Sequence, residues 1–445
     1  MISTIVIYGI FVAICFAALI RPWTGVLGFY FFAVLDPGWN WRWAVDRYFP
    51  FQKYIFAFLV IGWLINGMPG LRYNRRDAAP IISLLCFLAL AYASSSFSID
   101  ASLSSWYLDK LWKVVLVAIA AAITIDTPKK LVALLFTVVI AQSWNAYQIN
   151  LQYFQDGYSL YARITQWGTK GDNNGYSILT LPVIAMSISL AASDFRTQWR
   201  LLALGIAVLQ IHQIMLLESR GTMIGGLVMA VMFFVFMQKT GLNIAVVAML
   251  LFAGFLLAGP SVVREFTSAF EDAGNRDSSA ESRFHLWKAG WEITKDYPLL
   301  GVGPWCGALK VPEYYEGESL RVKRKELHNI FFELSTGTGL PATAFYLGFS
   351  ALPWWACFMH WWRSRRMQNS IPNHADSVSI NAVSLAVLCG LPGYFVASMF
   401  SSGVLLETSY ILASCGCVAS ALFRRTNTNS EELLRSLGRD IPRVS

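Results

Sequence analysis

What most limits the fold of this chain is a succession of apolar runs, each close to the length that crosses a lipid bilayer. They fall at 2–20, 22–35, 51–67, 79–97, 111–125, 129–149, 174–193, 199–217, 221–237, 241–259, 328–362, 378–400 and 403–423, and a spanning helix needs about 20 such residues. The run 22–35 is short. The run 328–362 is overlong and contains Pro341 and Pro353, which predicts a kinked or broken helix. The expectation is therefore about twelve or thirteen spans. A spanning backbone must satisfy its own hydrogen bonds, so the expected fold is an all-α polytopic membrane protein. The first twenty residues carry no basic n-region and run straight into Arg21-Pro22, which predicts a retained span and not a cleaved signal peptide.

Composition agrees. Apolar residues make up 56% of the chain and charged ones only 14%, against about a quarter charged in soluble domains. The net charge of +8 would suit nucleic acid, but no soluble domain remains to bind it. The basic residues sit between apolar runs, as in cytoplasmic loops. Six of the seven cysteines lie in apolar runs, only Cys306 lies in the large loop, and no CxxC pair is present. Neither a disulfide framework nor a metal site is expected, and no cofactor is implied.

One alternating set of connections carries Arg21; Arg72, Arg75 and Arg76; Lys129 and Lys130; Arg196 and Arg200; Lys239; and Arg363, Arg365 and Arg366. That side reads as the cytoplasm. The other set, with fewer basic residues, then faces the periplasm of a bacterial inner membrane. By alternation it includes the long polar stretch between the spans ending at 259 and starting at 328. The expected division is an N-terminal transmembrane bundle (1–259), a large periplasmic loop with amphipathic helices (260–327), C-terminal transmembrane helices (328–423) and a cytoplasmic tail (424–445). Trp39, Trp41 and Trp43 outside, and Trp354, Trp355, Trp361 and Trp362 inside, read as interfacial belts.

A bundle that carries a long structured loop uses it outside the bilayer, so the chemistry is expected there. Ser278 followed by Glu281 has the spacing of a capping box, starting a helix that Pro298 ends. Phe284, Trp287 and Trp291 fall on one face, with Lys288, Glu292 and Lys295 on the other, a pattern fit to lie on a membrane surface. Arg283 stands in its first turn, either a headgroup anchor or a phosphate ligand. Arg321-Val322-Lys323-Arg324-Lys325 is a strong but unspecific field, for lipid anchoring or substrate capture.

His328 follows, with Asn329 beside it and Glu333 further on. Of the five histidines it alone combines an outer position, helical support and cationic neighbours. It reads either as a general base, kept neutral by those cations, or as a capping histidine. Arg220, between two spans in Glu218-Ser219-Arg220-Gly221, reads either as the partner of Glu218 or a snorkelling side chain, or as a bidentate phosphate clamp. Gly221 and Gly225 have the spacing of close helix packing. In Lys170-Gly171-Asp172-Asn173-Asn174, Asp172 or Asn173 serves as an N-cap or presents groups to sugar hydroxyls, and Lys170 is available to phosphate.

Taken in order, Ser219-Arg220-Gly221, Arg283 with Trp287 and Trp291, Pro298-Leu299-Leu300-Gly301-Val302-Gly303, and His328-Asn329 with Glu333 and Gly339-Leu340 resemble the O-antigen ligase and polysaccharide polymerase superfamily. Arg21-Pro22-Trp23-Thr24-Gly25-Val26, Asp36-Pro37-Gly38, Pro50-Phe51 and Gly171-Asp172-Asn173-Asn174 look most like the O-glycosylation ligases associated with exosortase A. The resemblance implies a multi-span architecture similar to the GT-C glycosyltransferases. It implies transfer of a glycan from undecaprenyl pyrophosphate to a hydroxyl on lipid A core, protein or another glycan. It carries Arg220 and Arg283 over as pyrophosphate binders and His328 as base or acceptor-positioning group. The stretch Ser335-Thr336-Gly337-Thr338-Gly339 departs from the family, whose members often carry an acidic residue before the glycine.

Such chemistry is self-consistent. Pyrophosphate is a good leaving group whose charge two arginines stabilise, a neutral histidine takes the acceptor proton, and no DxD motif asks for a metal. A repeat-unit polymerase would use the same donor and arginines. A lipid or polysaccharide transporter would instead place charges near the midplane of several spans; few are present, Glu407 being one. A structural scaffold explains neither Arg220 nor the long loop.

Overall fold

The computed structural model describes residues 2–158, 172–257, 278–315, 325–366 and 374–436, and among them every regular element is helical. In chain order these are α1 (Ile2–Ile20), α2 (Pro22–Leu35), the single turn α3 (Pro37–Asn40), α4 (Phe51–Ile65), α5 (Ala79–Ser95), α6 (Ala101–Thr124), α7 (Pro128–Asp156) and α8 (Asn173–Ala192). They continue with α9 (Thr197–Leu216), α10 (Arg220–Phe236), α11 (Gly241–Leu257), α12 (Ser278–Asp296), α13 (Gly307–Tyr314), α14 (Ile330–Arg366), α15 (His374–Ser398) and α16 (Glu407–Ser436). By length and composition α1, α7, α8, α9 and most of α15 can cross a bilayer, and α4, α5, α10 and α11 are shorter apolar helices. The chain is an all-α, multi-pass membrane protein.

Local signals place the helix starts. The carboxylate of Asp100 accepts the amide of Leu103 at 3.0 Å, and that of Asp172 accepts the amide of Gly175 at 2.9 Å. Each satisfies a donor that a helix N-terminus otherwise leaves unpaired. Pro22, Pro80 and Pro128 stand in the first helical positions, where a missing N–H costs nothing.

The centre of the bundle is α8. Every residue from Gly175 to Ala191 is buried, as expected for a helix apolar all round, and α7, α9, α10, α15 and α16 pack around it. In lipid the hydrophobic effect does not drive helices together, and close approach of small residues does much of the work. At the α10–α15 crossing a Cβ on Gly225 would lie 2.5 Å from the carbonyl oxygen of Gly393 and 2.8 Å from the Cβ of Ala397. The Gly221/Gly225 spacing thus marks a helix crossing.

The overlong run is broken, and the break lies at Gly339 (φ 84°, ψ 168°). Pro341 prepares it, because a proline has no N–H to offer the carbonyl of Gly337. That carbonyl instead accepts the amide of Gly303 at 3.0 Å and the hydroxyl of Ser94 at 2.9 Å. The carbonyl of Thr336 accepts the amide of Val302 at 2.9 Å, and the amide of Leu340 donates to Pro298 at 2.8 Å. The turn Pro298–Pro304 is therefore threaded into the break and supplies partners for the carbonyls of Thr336 and Gly337 and for the amide of Leu340. The half-helix Ile330–Thr338 stands apart from the long segment that follows.

At two positions of this junction no Cβ fits. A Cβ on Gly301 (φ 62°) would lie 2.5 Å from Gly337 backbone atoms, and one on Gly339 2.2 Å from the carbonyl oxygen of Leu299.

The helix α12 differs from its expected orientation. The buried face is Leu286, Ala289 and Ile293, packed with Val302, Cys306, Val311 and Leu327. Phe284 and Trp291 are exposed, at 57% and 49%, and Trp287 is partly buried against this cluster. Both stripes have helical spacing; the aliphatic one docks on the protein and the aromatic one faces out. The side chains of Ser278 and Glu281, expected to form the capping box, lie outside the described residues. Trp354 and Trp361 are bonded to backbone carbonyls of Leu388 and Phe236, while Trp355 and Trp362 are exposed, so only part of the inner tryptophan group is a surface belt.

Candidate functional site

The starts of α4, α8, α14 and α16 meet the middle of α6 around one cavity of about 610 Å³. Lys53, Trp106 and Lys110 line one side, Asp172 and Gly175 another, and Glu326, His328 and Glu333 a third; Trp305 and the stretch Ser401–Glu407 complete it. Phe29, Ala33, Phe56, Val114 and Val117 continue the wall as an apolar surface.

His328 lies in the connection 325–329, which is fixed on both sides. The amide of Lys325 donates to Ala308 at 3.2 Å, Lys325 Nζ reaches Tyr315 Oη at 3.0 Å, and Leu327 is buried in the α12–α13 cluster. Asn329 caps the half-helix, its Oδ1 accepting the amides of Phe331 (2.9 Å) and Phe332 (3.3 Å). His328 between them has φ +47°, a left-handed conformation that costs a residue with a Cβ and concentrates at functional positions. Burial lowers its pKa below the ordinary histidine value, and Arg283 and Lys325 lower it further, while Glu326 and Asp172 oppose them. The neutral imidazole is the favoured form.

Asp172 is the N-cap of α8 and also lines the cavity, so its two expected roles coexist. The next residues tie α8 to the start of α10: Asn173 Nδ2 donates to Leu217 O at 2.9 Å, Ser219 Oγ to Asn174 Oδ1 at 2.8 Å, and Thr222 Oγ1 to Ser219 Oγ at 3.0 Å. Glu218, with φ +52°, is exposed and turns the chain into α10. Arg220 is thereby held at the first position of α10, partly buried. Phe400 packs beside it, since a Cβ on Gly221 would lie 2.6 Å from that of Phe400, whose ring stands 5.9 Å from that of Trp287.

Asp172, Arg220, Arg283 and His328 are thus drawn to one end of the bundle from four separate stretches, although neither arginine forms part of the cavity wall. Lys170, Arg321 and Arg324 lie outside the described residues. Among the described residues no group of three or more His, Cys, Asp or Glu gathers as a metal site.

Among the contributors not foreseen at the site, three left a mark in the sequence. The loop between α15 and α16 brings Ser401, Ser402 and Gly403 to the cavity, pinned from below by the hydroxyls of Tyr394, to Gly403 O, and Tyr410, to Val404 O at 2.9 Å. Its sequence signal is the Ser-Ser-Gly interruption between two apolar runs. Glu407 is the first residue of α16 and lines the cavity, at the mouth of a span. Trp305, with φ +66°, stacks on Tyr107 at 5.3 Å and 17°. Its signal is the Gly-Pro-Trp that closes the glycine turn.

Residues 2–158 match the model of a family of unknown function (DUF5935), and comparison with the curated proteins returns no match. Residues 205–347, about a third of the chain, match the model of the O-antigen ligase family; they run from α9 to just past the Gly339 break and include Arg220, Arg283 and His328.

Proposed function

We propose that this protein is an O-antigen ligase-type glycosyltransferase, moving a glycan from undecaprenyl pyrophosphate to a hydroxyl acceptor at the periplasmic face of a bacterial inner membrane. The observation that carries the reading is the meeting of His328, in a strained and cation-flanked position, with Asp172 at the mouth of a cavity whose apolar wall suits a lipid-borne substrate. Basic residues at the opposite helix ends support the orientation: Arg424 pairs with Asp77 at 3.0 Å and Arg425 donates to the carbonyl of Arg72 at 2.6 Å.

In this reading Arg220 and Arg283 neutralise the pyrophosphate as the anomeric C–O bond breaks. His328 positions the acceptor or takes its proton. Lys170, Arg321 and Arg324 would add to the field that draws in the anionic donor. The leaving group needs no protonation, and the reaction is proposed to run without a metal.

The test is transfer from purified undecaprenyl-pyrophosphate-linked glycan in detergent with EDTA. The native protein is compared with His328→Ala, Arg283→Ala and Arg220→Ala, each checked for folding. Transfer that survives EDTA and falls at least about 100-fold in each variant supports the site, and the product's mass identifies the acceptor. Normal transfer in the variants removes the site assignment. Movement of lipid-linked glycan across a bilayer with no new glycosidic bond removes the enzyme reading.

A further inference from the structure

One buried carboxyl at this site has no part in the mechanism above. Glu333 sits in the first turns of the half-helix and lines the large cavity. Its Oε1 accepts a hydrogen bond from Tyr107 Oη at 3.0 Å, and Tyr107 is in turn held by the stacked indole of Trp305. The Ser402 hydroxyl and the Gly403 amide approach the carboxyl, but Oε2 is buried and makes no hydrogen bond among the described residues. A buried carboxyl oxygen with an unused lone pair is costly for stability and rare without a ligand or a role.

Beside it is a second void of about 20 Å³, lined by Trp305, Glu326, Leu327, Glu333, Thr336 and Ser402 among others. It shares Trp305, Glu326, Glu333 and Ser402 with the large cavity. That volume holds about one water-sized oxygen. The junction of the two spaces is therefore a seat for a single hydroxyl at the edge of a chamber large enough for sugars.

We propose that Glu333 is a catalytic residue that accepts the proton of the attacking acceptor hydroxyl, seated in this small void and facing Oε2. The inference rests on the glycosyl-transfer reading above and deepens it, since it gives the proton to Glu333 and leaves His328 to position the acceptor. In the step, the acceptor O–H bond breaks and its proton goes to Oε2. The oxygen forms the new bond to the anomeric carbon, and the bond from that carbon to the pyrophosphate oxygen breaks with its electron pair leaving on pyrophosphate. Burial works against the charged form of this carboxyl, and the hydrogen bond from Tyr107 offsets part of that cost and holds the group in place. Among the described residues, the other ionisable groups that act on or feel Glu333 include Glu326 from the 325–329 connection, Tyr394 from α15 and Tyr410 from α16.

The experiment uses the full-length protein in detergent, with undecaprenyl-pyrophosphate-linked glycan as donor and the acceptor that the native protein uses. Glu333→Gln keeps the shape and still accepts from Tyr107, but cannot take a proton. Transfer is expected to fall at least about 100-fold while retention of the donor lipid is unchanged; near-native transfer by this variant overturns the assignment. Tyr107→Phe leaves the carboxylate but removes the hydrogen bond that favours its charged form. The acid limb of its pH–rate profile is expected to move to higher pH, and an unmoved limb also overturns the assignment, since a purely structural Glu333 would not shift it. Absence of transfer by the native protein would instead remove the underlying glycosyl-transfer reading.

Discussion

The amide of Gly303 donates to the carbonyl of Gly337 at 3.0 Å, joining the glycine turn of the loop to the place where α14 breaks. This bond and its neighbours set where Trp305 and the half-helix bearing Glu333 stand, so the cavity depends on backbone contacts some residues away from it.

Gly303→Ala should therefore be costly. At φ +110° any Cβ is strained, and here it would lie 2.1 Å from Ser98 Oγ. About 1–3 kcal/mol of backbone strain and about 1–3 kcal/mol of overpacking are expected, read as a lowered melting temperature in detergent and reduced transfer. Gly157→Ala, at φ +72° with nothing within 4 Å, is the control for backbone strain alone. Equal shifts in the two variants would refute the threading argument.

The pH dependence of His328 has a definite sign. Its folded pKa lies below the ordinary value because burial and Arg283 disfavour the imidazolium, so the folded state resists a proton that the unfolded chain accepts near pH 6.5. The stability it contributes is fully present above that pH and is lost as the pH falls from there through the folded pKa. Melting temperature should drop across this window in the native protein, and the drop should shrink in His328→Gln. An unchanged slope in the variant would place the effect elsewhere.

Asp172 carries two separable functions. Asp172→Asn keeps an oxygen to cap α8, whereas Asp172→Ala loses the cap at about 1 kcal/mol. Both remove a negative charge that raises the His328 pKa, so the histidine-dependent limb should move to lower pH in both while only the alanine variant loses melting temperature. Movement in the alanine variant alone would mean that the cap, and not the charge, controls His328.

The docked face of α12 can be tested by charge. Ile293 is fully buried and Trp291 is 49% exposed. Ile293→Lys should cost roughly 3 kcal/mol or more by burying an unpaired ammonium, while Trp291→Lys should leave melting almost unchanged. The opposite ranking would restore the aromatic stripe as the inward face.

Much of this was legible in the sequence. Each expected apolar run lies over a helix, because a span needs length and hydropathy and little else. The choice of faces on α12 was not legible. Leu286, Ala289 and Ile293 and Phe284, Trp287 and Trp291 share the same spacing, and next to a membrane an aromatic face is as much at home outside as in. The break in α14 was expected from Pro341, but its place at Gly339 depends on the loop that supplies partners for the freed carbonyls. Glu333 appeared only as a neighbour of His328, and Ser401–Gly403 as the junction between two spans, because the cavity they line exists only once α6, α14 and α16 are brought together. Lys110 and Trp106 were missed for the same reason.

The burial of α8 has a consequence for the order in which the protein is made. The helix is synthesised long before α15 and α16, which supply much of its cover and to which it is joined by contacts such as Thr408 Oγ1 to Leu179 O at 2.8 Å. Its Ser177, Thr180 and Ser187 hydroxyls bond within their own helix and to Gln142 of α7 and Gln210 of α9, so they are satisfied before α15 and α16 emerge. The face of newly inserted α8 that α15 and α16 later cover must therefore wait exposed to lipid, and a chain cut before α15 would leave part of the future centre of the bundle on its surface.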